Sequence, residues 1–228
     1  SAHAFCDGTR AVMMPFATDY KRAQDGDIGL NTGGMGAYSP SVRVTDELAR
    51  QIRDDVVERA VAGMAARGAP FNGTMFPGLM VTADGVFVLE FNARFGDPEA
   101  QVLMPRLESD LFEICEAAAR GRLDRVDVAW SNQPAVGIVM ASGGYPATYK
   151  VGHIIEGLDT VDDDVLIFHA GTTLDERRGL VTSGGRVLTV VARGDTIAEA
   201  RAKAYDNVRR IRFTDAHYRT DIAKEAVS

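Results

Sequence analysis

Two apolar runs, residues 74–81 and 86–92, constrain the fold of this chain more than any other feature of its sequence. Residues 83–85 between them, Ala-Asp-Gly, are typical of a turn. The two runs therefore predict an antiparallel hairpin. Because successive side chains of a strand alternate between faces, Glu90 and Asn92 are expected to point the same way, about 6–7 Å apart.

The second run ends in polar residues whose chemistry is informative. The carboxylate of Glu90 and the amide oxygen of Asn92 can share a hard cation such as Mg²⁺. Arg94, one step further along the same face, can bind a phosphate or acyl-phosphate oxygen. An exposed strand with solvated polar residues is the alternative interpretation. Val86 and Val88 are expected to share the face of Glu90, and a face that turns from apolar to polar at a strand end favours a cleft.

Residues 25–40 contain five glycines and predict a long loop. One interpretation is a flexible surface loop. The other is a functional loop whose small residues expose backbone N–H groups to an anion while Asp27 supplies a carboxylate. Further along the chain, Gly184-Gly185-Arg186 predicts a hairpin turn with a solvated arginine.

A helix is predicted from about Asp46, with Thr45 as its N-cap. Apolar residues recur at every fourth position and predict its buried face. These residues are Leu48, Ile52, Val56, Ala60 and Met64.

The chain becomes strand-rich after a polar stretch near residue 130, where we place a domain boundary. Strands are predicted at 135–141, 165–170 and 186–192, and a last helix runs to about residue 212.

Composition excludes several functional classes. A formal net charge of −7 without basic blocks argues against nucleic-acid binding. The two cysteines, Cys6 and Cys115, predict free thiols rather than a disulfide framework, and four scattered histidines argue against a zinc hydrolase. No apolar stretch reaches the length of roughly 18–20 residues that a membrane span needs.

Seven short blocks carry a resemblance that runs through the whole chain in order. They are N-T-G-G-M-G-A-Y-S-P at 31–40, F-N-G-T at 71–74, G-L-M at 78–80, E-F-N-A-R-F-G-D-P-E at 90–99, G-G-Y-P at 143–146, F-H-A-G-T at 168–172 and G-G-R-V-L at 184–188. Together they resemble the phosphoribosylamine–glycine ligase family of the ATP-grasp superfamily.

The resemblance implies an α+β fold in two parts. Residues 1–130 would form the C-terminal part of an ATP-grasp catalytic domain, an antiparallel sheet with helices. Residues 131–228 would form a smaller, strand-rich C-terminal α+β domain. The N-terminal domain and the ATP-binding lid of the family have no counterpart in the sequence, so the chain resembles a C-terminal fragment. We expect the isolated chain to be inactive.

The implied reaction belongs to de novo purine synthesis. ATP phosphorylates the carboxylate of glycine, and the amine of 5-phosphoribosylamine attacks the resulting glycyl phosphate to give glycinamide ribonucleotide, ADP and phosphate. The implied cofactors are ATP and Mg²⁺ or Mn²⁺. The implied partners are these small molecules, without nucleic acid or membrane, in a cytoplasmic protein.

The resemblance also assigns residues. Glu90 and Asn92 would hold the metal ion, and Arg94 would stabilise the transferring group or the acyl phosphate as the catalytic residue. Asp27 and Glu99 would bind the amine substrates, including the ammonium group of glycine.

Met80 would pack against adenine, although a plain core methionine is an equally good interpretation. In one respect the sequence departs from the superfamily pattern. The strand that precedes E-x-N, residues 75–80, offers no second acidic metal ligand. Either waters complete the metal shell, which Mg²⁺ tolerates, or the missing ligand comes from elsewhere in the protein.

Two alternatives remain open. The first is another ATP-grasp carboxylate–amine ligase, since E-x-N-x-R recurs across the superfamily, although the loop at 31–40 argues against it. The second is a non-catalytic ATP-grasp remnant that acts as a binding module.

Overall fold

The computed structural model describes residues 1–227, which divide into two compact units. Unit 1 consists of Ser1–Ala17, Pro40–Gly96 and Arg106–Asn132. Unit 2 consists of Thr18–Ser39, Asp97–Pro105 and the chain from Gln133 onward. The sequence predicts two domains that each occupy one continuous stretch, with a boundary near residue 130. The compact units are instead each made of several separated segments. The domain assignment therefore stays a prediction.

The described residues form thirteen strands. They are β1 (Ala4–Asp7), β2 (Ala11–Met13), β3 (Thr18–Asp19), β4 (Arg22–Gln24), β5 (Ile28–Asn31), β6 (Gly36–Ser39), β7 (Asn72–Thr82), β8 (Gly85–Asn92), β9 (Ala135–Ala141), β10 (Leu166–His169), β11 (Thr172–Asp175), β12 (Gly179–Thr182) and β13 (Arg186–Arg193).

The helices are fewer than the strands. The α-helices are α1 (Asp46–Gln51), α2 (Arg59–Ala66), α3 (Glu99–Leu103), α4 (Leu111–Ala119) and α5 (Ile197–Val208). A π-helical segment (Ile52–Glu58) joins α1 to α2, and 3₁₀ turns are formed by Met104–Arg106, Leu123–Arg125 and Leu158–Thr160.

Unit 1 is built on an antiparallel sheet with the strand order β2-β1-β7-β8. The hairpin predicted from the two apolar runs is confirmed as β7 and β8. In its register Phe76 lies opposite Asn92, and Gly78 lies opposite Glu90. One face of the sheet packs on the helical segment through a cluster of small and medium apolar side chains. The buried members are Ala4, Cys6, Val57, Val61 and Met75.

The predicted helix begins as expected, because the Thr45 side chain accepts a hydrogen bond from the Leu48 N–H. Its predicted buried face is only partly correct. Ile52 and Val56 are buried, but Met64 is exposed. The π-helical segment replaces i→i+4 by i→i+5 spacing, which rotates the following turns and breaks the four-residue repeat.

Unit 2 contains an antiparallel five-stranded sheet with the order β10-β13-β9-β6-β3. The strands predicted at 135–141, 165–170 and 186–192 correspond to β9, β10 and β13. Helix α5 contributes apolar residues to the same hydrophobic core as the sheet. Central members of this core are Val136, Ile138, Met140, Val190, Ala200, Ala204 and Val208.

The prediction of a long loop at 25–40 is wrong for half of that segment. β5 pairs with β4 as a hairpin, and β6 is a fully buried strand inside the five-stranded sheet. Its pairing with β9, Gly36 opposite Ile138, explains the ordered backbone. A partner so distant in sequence leaves no local signal.

The fold class is as predicted, an α+β arrangement in which every strand pair assigned among the described residues is antiparallel. Cys6 and Cys115 are free thiols. Within residues 1–227, no helix has the length and apolar character needed to cross a bilayer.

Candidate functional site

Glu90 and Asn92 lie at the end of β8 on the same side of the strand. The Asn92 side-chain amide donates to the Glu90 carboxylate at 3.0 Å and also approaches the Phe76 carbonyl at 3.4 Å. Glu90 is exposed and Asn92 is half-buried. The pair therefore places a carboxylate and a side-chain amide together at the end of a strand whose backbone is fixed by the sheet.

A bulge lies just before this pair. Gly78 pairs with Glu90, but Leu79 pairs with Val88, so Leu89 is an extra residue in β8. The bulge interrupts the alternation on which the predicted shared face of Val88 and Glu90 depends. Bulges re-aim side chains at strand ends, and here Glu90 and Asn92, both beyond the bulge, are hydrogen-bonded to each other.

Arg94 lies two residues beyond the end of β8, so strand geometry does not determine its direction. Its guanidinium donates to the Phe95 carbonyl at 2.9 Å and is otherwise exposed. The remaining N–H groups of the guanidinium are available to an anionic ligand.

The fit of a divalent cation can be tested on the donor set. No cluster of three or more His, Cys, Asp or Glu side chains suited to a metal occurs in residues 1–227. A cation at Glu90 and Asn92 would have two protein ligands and would complete its shell with water or ligand oxygens, as Mg²⁺ does. To bind the cation, Asn92 would have to turn its side-chain amide so that the oxygen, and not the nitrogen that donates to Glu90, faces the ion. Glu90 and Asn92 therefore fit Mg²⁺ as a two-ligand site whose remaining positions are filled by water or ligand oxygens.

Met80, the predicted adenine contact, lies on β7 opposite Phe87. Its side chain is 50% exposed, so the alternative of a plain core methionine does not hold for unit 1. The hairpin around it exposes further large apolar side chains. These are Val81, Phe87, Val88, Leu89 and Phe91. So many exposed large apolar side chains on one hairpin are typical of a segment that binds another molecule.

A second group of charged residues lies in unit 2, and its centre is Asp19 on β3. The Asp19 side chain is 3% exposed and forms an ion pair with Lys21. Burial, and after it the charge of Glu99, raise the pKa of Asp19 to about 7. Burial lowers the pKa of Lys21, but the adjacent Asp19 carboxylate outweighs it and the net direction is upward.

Glu99 is the first residue of α3 and is fully buried. It belongs to the same compact unit as Asp19 and interacts with it electrostatically. Two carboxylates that share a desolvated environment repel each other when both are ionised. A small cation that entered between them would relieve this repulsion.

Arg186 is not the solvated arginine that the Gly-Gly-Arg turn predicted. Its side chain is only 20% exposed and pairs with the Asp97 carboxylate at 2.7 Å. It also donates to the carbonyls of Asp97 and Gly33, both at 3.1 Å. Arg186 therefore ties the glycine-rich segment to the residues that precede α3.

The glycine-rich segment is held in place on a second side. The Gly33 N–H donates to the Tyr145 hydroxyl at 3.0 Å. Gly34 has a φ of +122°, and a Cβ at this position would lie 2.3 Å from Pro98 Cδ and 2.7 Å from an Asp19 carboxylate oxygen. Only glycine fits so close to these groups.

Asp27, the predicted substrate residue, lies in the turn between β4 and β5. Its carboxylate accepts a hydrogen bond from Arg219 at 2.7 Å. The Arg219 guanidinium is 1% exposed, also pairs with Asp221, and lies over the ring of Tyr20. Asp27 thus helps to neutralise a buried arginine, and its role toward substrate stays a prediction.

Sequence reasoning missed Asp19, Lys21 and Arg186. The first two lie just before the glycine-rich segment, where nothing in the sequence distinguishes them from solvated charges. Arg186 had a signal, since Gly-Gly-Arg opens β13, but its burial depends on residues about 90 and 150 positions away.

Two family descriptions match this chain in succession. Residues 1–100 match the phosphoribosylglycinamide synthetase ATP-grasp (A) domain, and residues 135–225 match the phosphoribosylglycinamide synthetase C domain. The chain belongs to the phosphoribosylglycinamide synthetase family. The residues of the charged group and the β7–β8 hairpin fall within these two matched segments.

Relatives in the phosphoribosylglycinamide synthetase family are similar along the whole chain. The phosphoribosylamine–glycine ligase of Allochromatium vinosum is 50% identical over 99% of this chain. That of Brucella melitensis is 47% identical over 100% of it. The chain covers 53% of each relative, so it spans about half the length of the curated relatives it matches.

A solved structure of the family has the same fold. The crystal structure of phosphoribosylamine–glycine ligase from Thermotoga maritima matches with a TM-score of 0.88 at 34% identity, over 97% of this chain and 55% of that one. The resemblance read from the seven sequence blocks is therefore confirmed at the level of family and fold.

Proposed function

We propose that the protein containing this chain ligates glycine to 5-phosphoribosylamine at the expense of ATP, through a glycyl phosphate intermediate. The Glu90–Asn92 pair carries the proposal. A carboxylate and a side-chain amide that can hold a divalent cation, next to Arg94 with unoccupied guanidinium N–H groups, suit phosphoryl transfer. The proposed products are glycinamide ribonucleotide, ADP and phosphate. Membership of the synthetase family supports this reaction.

Unit 1 would bind the nucleotide. Glu90 and Asn92 would hold Mg²⁺ or Mn²⁺, which neutralises phosphate charge when bound. Arg94 would contact the transferring phosphoryl group or the acyl phosphate with its unoccupied N–H groups. The exposed apolar side chain of Met80 would pack against the adenine ring of ATP.

Unit 2 would bind the amine substrates. Glu99 keeps the role that the sequence predicts for it, and we add Asp19 as its partner. The two buried carboxylates offer a desolvated acidic site, and an ammonium group there would gain charge-assisted hydrogen bonds. Asp27 stays in the proposal as a substrate residue, although its contact with Arg219 also gives it a structural role.

The proposal includes three general properties. The chain spans about half the length of the curated relatives it matches, and we expect the isolated chain to be inactive. We place the protein in the cytoplasm, and we expect small-molecule substrates rather than nucleic acid or membrane.

Glu90→Gln in the full-length protein tests the metal site. The substitution keeps the size of the side chain but removes the charge that the cation needs. We expect the Mg²⁺ concentration for half-maximal ADP formation to rise at least tenfold, with unchanged thermal stability. Asp84→Asn, an exposed carboxylate in the turn of the same hairpin, is the matched control and should leave the Mg²⁺ dependence as it is.

Two outcomes would contradict the proposal. A Glu90→Gln enzyme with full activity and normal Mg²⁺ dependence would remove Glu90 from the metal site. ADP formation by the wild-type protein with bicarbonate and biotin, instead of glycine and 5-phosphoribosylamine, would replace the proposed reaction by that of a carboxylase.

A further inference from the structure

The turn that carries Arg94 is anchored from the strand β1 side by a histidine. His3 immediately precedes β1 and is 0% exposed. Its ring stacks on Phe76 with centroids 4.2 Å apart, and its Nε2 accepts a hydrogen bond from the Gly96 N–H at 3.0 Å. Phe76 in turn lies opposite Asn92 on the neighbouring strand β8.

A second contact joins the same two segments. Phe5 lies two residues after His3, and its ring meets Phe95 edge-on with centroids 6.1 Å apart. Arg94 in turn donates to the Phe95 carbonyl. His3 therefore holds Gly96 by a hydrogen bond, and Phe5 holds the adjacent Phe95 by ring packing.

The tautomer of His3 follows from its contact with Gly96. A ring nitrogen that accepts an N–H has no proton, so in the neutral ring Nδ1 carries it. Burial above all, together with the positive charge of Arg94, holds the pKa of His3 well below its usual value, which keeps the ring neutral.

Stability alone does not account for a histidine at this position. Its Nδ1 is a buried donor without a hydrogen-bond partner among the described residues, and such a group costs about 1–3 kcal/mol. Leucine or phenylalanine would fill the space beside Phe76 without that cost. The gain specific to histidine is the acceptor that fixes Gly96.

We propose that His3 is a positioning residue, which aims Arg94 at the transferring group by holding the turn at Gly96. The inference rests on the proposed function for its catalytic consequence. It does not rest on that function for the contact itself, which can be measured separately. His3 touches no reacting atom.

His3→Phe tests the contact, because it keeps the stack on Phe76 and removes the acceptor. We expect hydrogen exchange of the Gly96 amide in the 228-residue chain to accelerate at least tenfold. His3→Gln restores an acceptor and should restore much of the protection. Val61→Ala, which removes buried volume on the helix side of the same sheet, is the control that should leave Gly96 protection relative to global stability unchanged.

The catalytic consequence is measured in the full-length enzyme. His3→Phe should lower kcat about 10- to 100-fold with little change in KM for Mg-ATP, since a small displacement of Arg94 affects the transfer step. His3→Gln should recover much of kcat, and Val61→Ala should retain it. A general loss of stability would not give this pattern.

Each failure has its own signature. Unchanged Gly96 exchange in His3→Phe, or a proton found on Nε2 of wild-type His3 by ¹⁵N NMR, would overturn the anchor. Faster Gly96 exchange with normal kcat would overturn the positioning role. Absence of ligase activity in the wild-type enzyme would instead overturn the proposed function, while the exchange measurement would still decide the anchor.

Discussion

At the scale of single residues, burial determines the protonation and pairing of the charged side chains clustered around Asp19 in unit 2. Asp19, Glu99 and Arg186 carry ordinary ionisable groups, but each is largely removed from water. A desolvated carboxylate favours its neutral form unless a cation compensates it. Lys21 supplies only part of that compensation for Asp19, which is why the pKa of Asp19 stays raised.

Asp19→Asn should change how stability depends on pH. The folded pKa of Asp19, about 7, lies above its ordinary value of 3.8, so between these values the folded protein retains a proton that the unfolded chain releases. Stability is therefore lost as pH rises through this window. We expect the variant to lack a loss on the order of 1–4 kcal/mol between pH 4 and pH 8.

Urea denaturation at several pH values measures this effect. Lys21→Met is the companion variant, and it should steepen the loss because the lysine charge favours ionised Asp19. Identical pH profiles for wild type and Asp19→Asn would contradict the assignment of the raised pKa to this carboxyl.

The residues that sequence reasoning found and missed differ in one physical respect. Glu90 and Asn92 form a pair two residues apart on one strand, so local alternation predicts their proximity. Arg186 and Gly33 meet only through long-range folding. Burial and pairing of the second kind have no local pattern, and Arg186 was therefore predicted as solvated.

At the scale of elements, the hairpin β7–β8 was predictable because both strands and their turn are contiguous in sequence. The bulge at Leu89 was not, since one extra residue leaves no mark on an apolar run. β6 was missed because its five-glycine surroundings are typical of a loop, and its partner β9 lies far away in sequence.

Gly78→Ala should disturb the metal pair through the sheet. A Cβ at Gly78 would lie 3.2 Å from Glu90 Cγ, so the Glu90 side chain must move by a few tenths of an ångström. We expect weaker Mg²⁺ activation of the full-length enzyme, by about two- to tenfold, with a stability loss below about 1.5 kcal/mol.

Gly63→Ala in α2 is the matched control for this substitution. A Cβ there meets no atom within 4 Å, so alanine should stabilise the helix by about 0.5–1 kcal/mol. Its Mg²⁺ activation should equal that of wild type. If Gly78→Ala behaves like Gly63→Ala, the contact between positions 78 and 90 does not orient the carboxylate.

At the scale of the whole molecule, the compact units are assembled from separated segments. Unit 2 takes Thr18–Ser39 and Asp97–Pro105 from the first half of the chain. The five-stranded sheet depends on the first of these, because β6 lies between β9 and β3.

A fragment of residues 131–228 should therefore fold poorly alone. Without β6, the buried strand β9 becomes an exposed edge, and such edges aggregate. We expect low solubility or a broad, uncooperative thermal transition by circular dichroism. A soluble fragment with a sharp transition would show that β6 is dispensable for this unit.

The same pairing of β6 with β9 affects how the protein is made. Gly36 leaves the ribosome about 100 residues before its partner Ile138. At a translation rate of about 5–20 residues per second, roughly 5–20 s pass between the synthesis of β6 and the synthesis of β9. During that interval β6, which is fully buried in the finished sheet, lacks its partner strand β9. Its sequence must therefore not favour pairing with other strands. The glycines around Gly36 are the reason that a loop is predicted where β6 forms. Because glycine has a low β propensity, they also make this segment pair poorly with other strands before β9 is made.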